Sequence, residues 1–296
     1  MNSTLFSGRQ DLAVSPIAVD LHMHTGYSHG EADVETMYLA ARSKGLTVIG
    51  FSEHSPRPDG FSYPSDYREK LAHGLPGYMR EVRELAGRGA AQGVEVLLGI
   101  EADYIRGREE YTRDFLRARN FDYIVGGLHF QGAWGFDADQ ADWARLSRPE
   151  RFKAYARYYD DLAAMCGSGL FHIAAHPDLI KIFSIGDFNA WLDTEEALPV
   201  LRRALGAMRE AGVLLEISSA GLRKRCGEIY PGPRIMALAA ELGLSVAFAS
   251  DAHCPDTPAF AFAELARYAA SFGYTYSCIP MGGGKVRRMP FSAPQP

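Results

Sequence analysis

The chain has 296 residues, of which 47% are hydrophobic and 23% charged, and this composition excludes disordered and fibrous proteins. The formal charge of −5 gives no indication of a nucleic-acid or anionic-membrane partner. Four cysteines without a CxxC pair are too few for a disulfide framework, and no segment has the length of a membrane span, so we expect a cytoplasmic protein.

Short apolar runs alternate with longer helical patterns along the chain, and this alternation indicates βα units. Strands are predicted over residues 16–22, 46–52, 94–100, 123–128, 170–175, 213–217 and 244–250. Helices are predicted over 31–44, 77–92, 149–166, 194–211, 233–242 and 257–271, several of them ending at a glycine. After Pro280 the tail is expected to be irregular, with GGGK at 282–285 as a loop.

Two connections, 55–76 and 130–148, are longer than a compact βα loop needs. They are either functional covers or surface excursions with small apolar clusters of their own. No composition break marks a linker, so we predict one α/β domain over residues 1–296.

Histidine and carboxylate residues recur where the predicted strands end. His22 and His24 close the first strand in DLHMHT, and residues two apart in extended backbone point to the same face. Glu216 lies in the sixth predicted strand, and Glu53 is either an orienting neighbour of His54 or solvated. Seven further candidate ligands follow a predicted strand or lie in the loop leaving it: His29, His54, Glu101, His129, His176, Asp251 and His253.

In a barrel of parallel strands, the carboxyl ends of the strands form the rim where active sites assemble. A lone histidine there is more often structural, but so many imidazoles and carboxylates are costly to gather unless a cation holds them. Histidines with few carboxylates favour Zn, Fe or Mn over Mg or Ca. We therefore predict two or three divalent ions bridged by Glu101, which would attract an anionic substrate such as a phosphate ester.

The ordered motifs DLHMHT, GIEADY, GGLHF, AHPDL and SDAH resemble those of the polymerase and histidinol phosphatase (PHP) superfamily. The resemblance spans residues 20–253, and the segment EISSAGLRKRCGEIYPGP is most similar to the monofunctional histidinol-phosphate phosphatases of histidine biosynthesis. It implies a distorted TIM-like barrel of seven β/α units with a trinuclear metal site. The chain departs from many relatives in having Ser218 where they have Asn, and His29 where they have Asp.

The resemblance implies a ligand set for each ion. One ion would be held by His22, His24, Glu101 and Asp251; a second by Glu101, His129 and His176; and a third by His29, His54 and His253. Water acidified between two ions would attack phosphorus in line. Catalytic roles would fall to Glu101, Asp251 and His253, and Asp178 would protonate the leaving alkoxide or orient a ligand.

The basic residues Arg223, Lys224 and Arg225 follow the sixth strand, and they are either a phosphate clamp or an exposed charge run. The small phosphorylated substrate would also meet the two long connections, whose aromatic residues would stack on an imidazole and whose acids would pair with an amine.

Three other functions fit parts of this pattern. The first is a PHP phosphoesterase acting on another phosphomonoester or a nucleotide. The second is an amidohydrolase barrel, although no lysine closes a middle strand as a bridging ligand would. The third is a non-catalytic module that the metal ions stabilise.

Overall fold

The computed structural model describes residues 16–61 and 66–291. The helices in these ranges are α1 Val34–Ser43, α2 Tyr67–Ala91, α3 Glu109–Arg117, α4 Gln140–Arg145, α5 Arg148–Gly167, α6 Ile185–Leu192, α7 Ala197–Ala211, α8 Pro233–Glu241 and α9 Phe262–Ser271. The strands are β1 Val19–Asp20, β2 Val48–Phe51, β3 Glu95–Asp103, β4 Tyr123–Gly127, β5 Phe130–Gln131, β6 Trp134–Gly135, β7 Ile173–Ala174, β8 Leu214–Ser218, β9 Val246–Ala249, β10 Tyr276–Met281 and β11 Lys285–Pro290.

Seven strands, β1, β2, β3, β4, β7, β8 and β9, lie in that order in one parallel sheet. The amide of Leu21 donates to the carbonyl of Phe248 at 3.2 Å, and Met23 pairs with Ala252, so the first and last strands meet. The sheet is a nearly closed barrel with helices between its strands, which confirms the predicted fold. The carboxyl ends of its strands share one rim.

Local sequence fixes the ends of several helices. The side chain of Asp33 accepts a hydrogen bond from the amide of Thr36 at the start of α1. The carboxylate of Glu150 accepts from the amide of Ser147 at 2.7 Å, which completes a capping box before α5. Gly212 ends α7 in the left-handed conformation, with φ 69°, that glycine adopts without strain.

Helix α2 begins at Tyr67, ten residues before the predicted start at 77. Pro76 favoured a helix that begins after it, but it lies inside α2 instead. Here α2 packs closely on Tyr27: a Cβ on Gly77 would meet the Tyr27 hydroxyl at 2.8 Å, and the same hydroxyl donates to Glu81 at 2.6 Å. Tertiary packing therefore overrides the local signal of the proline.

The chain beyond Pro280 is not irregular, because β10 and β11 pair as an antiparallel hairpin. Gly283 and Gly284, both with φ 73°, form the turn, so GGGK joins two strands. This hairpin contributes to the apolar cluster inside the barrel, which contains Val19, Tyr123, Ile173, Leu214, Cys278 and Ile279. Helices α3, α4 and α6 and the short β5–β6 hairpin are likewise absent from the sequence-based prediction.

None of the helices in the described ranges is both long enough and apolar enough to cross a membrane.

Candidate metal centre

The rim of the barrel brings the nine predicted ligand residues around one cavity of about 390 Å³. His22 and His24 follow β1 and are buried, and Glu101 lies within β3, which runs to Asp103 rather than ending at 100 as predicted. Apart from His22 and His24, the predicted ligand residues line the cavity: His29, His54, Glu101, His129, His176, Asp251 and His253.

Three groups of side chains offer ligand atoms that all lie within 4.8 Å of one another. These groups are His22, His24 and Glu101; then Glu101, His129 and His176; and then His24, His54 and His253. Glu101 belongs to two groups, as a bridging ligand would. Asp251 adjoins the first group, since its Oδ1 lies 3.4 Å from His24 Nε2 and 3.7 Å from His22 Nε2.

His29 lies at the outer edge of this cluster. Its ring is 4.2 Å from the ring of His253 and 5.0 Å from that of His54, measured between centroids. Its Nδ1, however, is within 2.9 Å of the Tyr67 hydroxyl, and its side chain is exposed. In the third group His24 takes the place that the family resemblance gives to His29.

The buried nitrogens of the cluster fit a divalent cation. His24 Nδ1, His176 Nδ1 and His253 Nε2 are buried without a hydrogen-bond partner. An unpaired buried polar atom costs free energy, and such atoms in a native fold point to a missing partner. The Nε2 atoms of His22 and His24 lie 3.1 Å apart, as two ligand atoms of one cation would.

Burial and neighbouring charges shift the pKa of several groups in the cluster. Burial lowers the pKa of His253 to about 3, so this imidazole is neutral at pH 7. Burial opposes ionisation of Glu101, but the charges of His54 and His22 hold its pKa well below the ordinary value. Glu101 is therefore ionised. Burial opposes protonation of His24 and His129, but Asp251 and Asp103 raise the pKa of these rings to about 9, so a divalent cation would displace protons from them on binding.

Two carboxylates contact candidate ligand imidazoles through the ring nitrogen opposite the one that faces the cluster. Glu216 Oε2 lies 2.7 Å from His22 Nδ1, which leaves Nε2 of that ring facing the centre. Asp103 Oδ1 lies 2.6 Å from His129 Nδ1, while its Oδ2 accepts from Arg57 Nε at 2.5 Å. Burial would raise the pKa of Asp103, but Arg57 and His129 hold it below the ordinary value.

Asp103 was missed by sequence reasoning, although its spacing gave a signal. It lies two residues after Glu101 in β3, so both side chains lie on the same face of the strand. Glu53 is only 2% exposed and accepts from the amide and the hydroxyl of Thr25, both at 2.5 Å. Of its two sequence interpretations, the solvated one is therefore wrong.

The residues predicted to bind substrate lie at different distances from the cavity. Lys224 is on its wall, whereas Arg225 is exposed and is not among the lining residues that the structure describes. Arg223 donates to the carbonyl oxygens of Ser250 and Asp251, the second at 3.0 Å, and so supports the segment that carries Asp251.

Asp178 is fully buried and, within the described part of the chain, is not on the cavity wall. Its Oδ2 accepts from Lys181 Nζ at 2.6 Å and from the amide of Gly232 at 2.7 Å.

Several lining residues had no counterpart in the sequence analysis. Arg57 lies just after β2, and Tyr67 and Lys70 come from the first turn of α2. Tyr67 and Lys70 reach the rim because α2 begins at Tyr67. The predicted helix began at residue 77, so the sequence analysis did not include them. Part of the wall is apolar, formed by Leu179, Ile182 and the ring of Tyr230, and Asp137 also lines the cavity.

The PHP domain family model matches residues 20–220 of this chain. A relative from Deinococcus radiodurans, named "Probable histidinol-phosphatase", is 33% identical over 253 residues, which are 84% of this chain and 91% of that protein. The structure of a Listeria monocytogenes protein assigned as the histidinol phosphatase hisK has a TM-score of 0.70 and 26% identity, covering 80% of this chain and 96% of that one.

A second solved structure has the same fold. It is a histidinol phosphate phosphatase from Lactococcus lactis, complexed with Zn, L-histidinol and phosphate, with a TM-score of 0.71 and 17% identity, covering 91% of this chain and 98% of that chain. The family model spans most of this chain, and the barrel rim carries the expected histidines and carboxylates. This chain therefore belongs to the PHP domain family.

Proposed function

We propose that this protein hydrolyses L-histidinol phosphate to L-histidinol and inorganic phosphate, a step of histidine biosynthesis, with the help of divalent metal ions. The observation that carries the proposal is the convergence of histidines and carboxylates from six strands on one cavity. The 33% identical relative named as a histidinol-phosphatase supports the reaction, and the Lactococcus lactis structure holds the two products.

The ligand groups support two or three ions of Zn, Fe or Mn. We assign His22, His24, Glu101 and Asp251 to one ion, and Glu101, His129 and His176 to a second. His29, His54 and His253 would hold a third. Imidazole-rich sets of this kind suit these metals, and zinc is present in the Lactococcus lactis structure.

Divalent ions in such a site supply Lewis acidity, which polarises phosphoryl oxygens and makes water more acidic. The chain's own residues prepare the reaction around them. Glu101, Asp251 and His253 are the catalytic residues in this proposal, because they line the cavity in which the phosphoryl group would react. Arg57, Lys70 and Lys224 place positive charge on the cavity wall, which attracts the phosphate.

Other residues act by positioning in this proposal. Arg223 holds the carbonyl of Asp251, and Arg225 adds positive charge outside the cavity. Asp178 accepts a hydrogen bond from the amide of Gly232. This bond holds in place the segment whose Tyr230 lines the cavity.

The proposal treats residues 1–296 as one PHP-type barrel domain. We place the protein in the cytoplasm, because all four cysteines are free thiols and three of them are buried. Its ligand is a small phosphorylated molecule, for which a cavity of about 390 Å³ has room.

The test is phosphate release from L-histidinol phosphate, beside a panel of phosphomonoesters and a dinucleotide, by protein loaded with Mn, Zn or Fe. We expect preference for L-histidinol phosphate and loss of activity on chelation. Release from the other esters alone would replace the biosynthetic role with a general phosphoesterase. If no ester is hydrolysed while chelation lowers the thermal stability, the ions are structural and the proposal fails.

A further inference from the structure

Glu216 contacts two candidate ligand residues that belong to different metal-ligand groups. Its Oε2 lies 2.7 Å from His22 Nδ1, and its Oε1 accepts a hydrogen bond from the backbone amide of His176 at 2.9 Å. His22 belongs to the group with His24 and Glu101, and His176 to the group with Glu101 and His129. Glu216 is 1% exposed and is itself a member of none of the three groups. One buried side chain therefore joins the ligands of two ions.

The backbone of His176 has a conformation that needs support. Its φ is 28°, in the left-handed region that residues other than glycine adopt infrequently. Its amide donates to Glu216, while its carbonyl accepts from the Tyr158 hydroxyl at 3.2 Å and from the amide of Leu179 at 2.8 Å. Backbone in such a conformation persists where surrounding groups hold it. Glu216 is one of the groups that fix the position of His176.

Glu101 contacts the same two histidines through their Nε2 atoms. Its Oε2 lies 3.4 Å from His22 Nε2, and its Oε1 lies 3.2 Å from His176 Nε2. The two imidazole rings are 5.9 Å apart between centroids. Two glutamates and two histidines thus form a closed ring of contacts, in which Glu101 is the candidate bridging ligand. Glu216 completes the ring on the side away from the ions.

The two contacts of Glu216 together require a carboxylate. Each of its oxygens accepts a hydrogen bond, one from His22 Nδ1 and one from the His176 amide. A proton on Nδ1 leaves Nε2 of His22 free to bind an ion. A glutamine has a single accepting oxygen, so its NH2 group would either meet the donor of His176 or place the ring proton of His22 on Nε2. An uncharged replacement of equal size therefore disrupts the ring of contacts.

We propose that Glu216 is a positioning residue that couples the two ion sites joined by Glu101: it fixes His22 and His176 relative to each other and so sets the separation of the two ions. This inference rests on the proposed function, because it assumes two ions at the Glu101 bridge. Two ions act together on one phosphoryl group only at a suitable separation. Glu216 therefore contributes to hydrolysis without contacting the substrate.

The test measures magnetic exchange between Mn(II) ions by electron paramagnetic resonance of the protein saturated with Mn(II). We expect the signal of an exchange-coupled pair in the wild type and its loss in Glu216→Gln, with signals of separate Mn(II) ions instead. For phosphate release, kcat should fall by roughly 10- to 100-fold while KM stays near the wild-type value. The matched control is Glu241→Gln, which removes an equal charge from a surface glutamate that pairs with Arg202, and it should keep the pair signal.

Two further variants separate positioning of both ions from other roles. Asp103→Asn alters a carboxylate that contacts His129 of one group only, so the Mn(II)-saturated variant should keep the pair signal. Glu216→Asp retains the charge but shortens the side chain by one methylene, so it should weaken the exchange, and it serves as the test if Glu216→Gln does not fold. An unchanged pair signal in the folded Glu216 variant would overturn the inference, whatever its thermal stability. Equal loss of the signal in Asp103→Asn would overturn it too.

The two proposals can fail separately. If the wild type has a coupled Mn(II) pair that depends on Glu216 but does not hydrolyse L-histidinol phosphate, the inference holds and the proposed reaction is wrong. If the wild type hydrolyses this substrate and Glu216→Gln keeps the pair signal, the function stands and the inference is wrong. A wild-type protein without a coupled pair would also contradict the inference, whichever ester it hydrolyses.

Discussion

Lys181 Nζ lies 2.6 Å from Asp178 Oδ2, and both side chains are fully buried. The same nitrogen donates to Glu228 at 2.8 Å and to the carbonyl of Ile229 at 3.2 Å. Burial opposes the charge of Lys181, but Asp178 and Glu228 raise its pKa above the ordinary value, so it stays protonated. One buried ammonium thus joins the turn after β7 to the loop after β8, and both segments line the cavity.

Replacing this lysine should destabilise the protein. Lys181→Met leaves the carboxylate of Asp178 buried without its counter-ion, and loss of one partner of a buried pair costs about 3 kcal/mol of unfolding free energy. For a chain of this size, the thermal midpoint should fall by roughly 6 to 12 °C. Circular dichroism melting of the metal-loaded protein measures it. The exposed Arg225→Met serves as the control, and equal midpoints for both variants would disprove the role of the buried pair.

Much of the fold was predictable, because the apolar runs of the seven barrel strands are short and bounded by turn residues. The elements that were missed have weak patterns. Helix α3 has only nine residues, and five of them are charged, so its sequence is short and polar and does not stand out as a helix. Strands β5 and β6 have two residues each, too few to show alternation. Helix α2 contains a proline that local rules place at a helix start.

The sequence predicted those residues of the candidate site that lie at the carboxyl ends of the barrel strands. Parallel strands end at one rim, so a ligand such as His176 or Glu101 could be placed there without knowing any contact. The position of Lys70 depends on how α2 packs on Tyr27, which the local sequence does not encode. The link from Arg57 through Asp103 to His129 joins side chains from separate segments, and only the tertiary structure brings them together.

Glu101 should be essential for metal binding, because it belongs to two of the ligand groups. Glu101→Gln removes the negative charge that both groups share, so we expect a lower metal content and a fall in phosphate release of at least about 100-fold. Glu95→Gln is the matched control, since Glu95 starts the same strand and pairs with Arg287 on the surface. Metal analysis after dialysis and a phosphate assay provide the measurements. Wild-type metal content in Glu101→Gln would argue against a bridge.

The orienting role of Asp103 predicts a smaller effect. Asp103→Asn weakens the hydrogen bond that fixes the His129 ring, so we expect zinc affinity to fall by roughly 10- to 100-fold. Competition with a chelator of known affinity measures this change. Asp114→Asn, an exposed change on α3, should leave the affinity as it is. If both variants bind zinc equally tightly, Asp103 does not tune the centre.

Replacing His54 should lower the metal content of the protein more than replacing His29. His54 offers a nitrogen within 4.8 Å of ligand atoms from His24 and His253, and it is 8% exposed. His29 is exposed, and its Nδ1 already contacts the hydroxyl of Tyr67. We expect His54→Ala to lose about one ion per chain and His29→Ala to lose less, because an exposed outer ligand is more readily replaced by water. Metal analysis of both variants decides this, and an equal loss would make His29 a full ligand of the third ion.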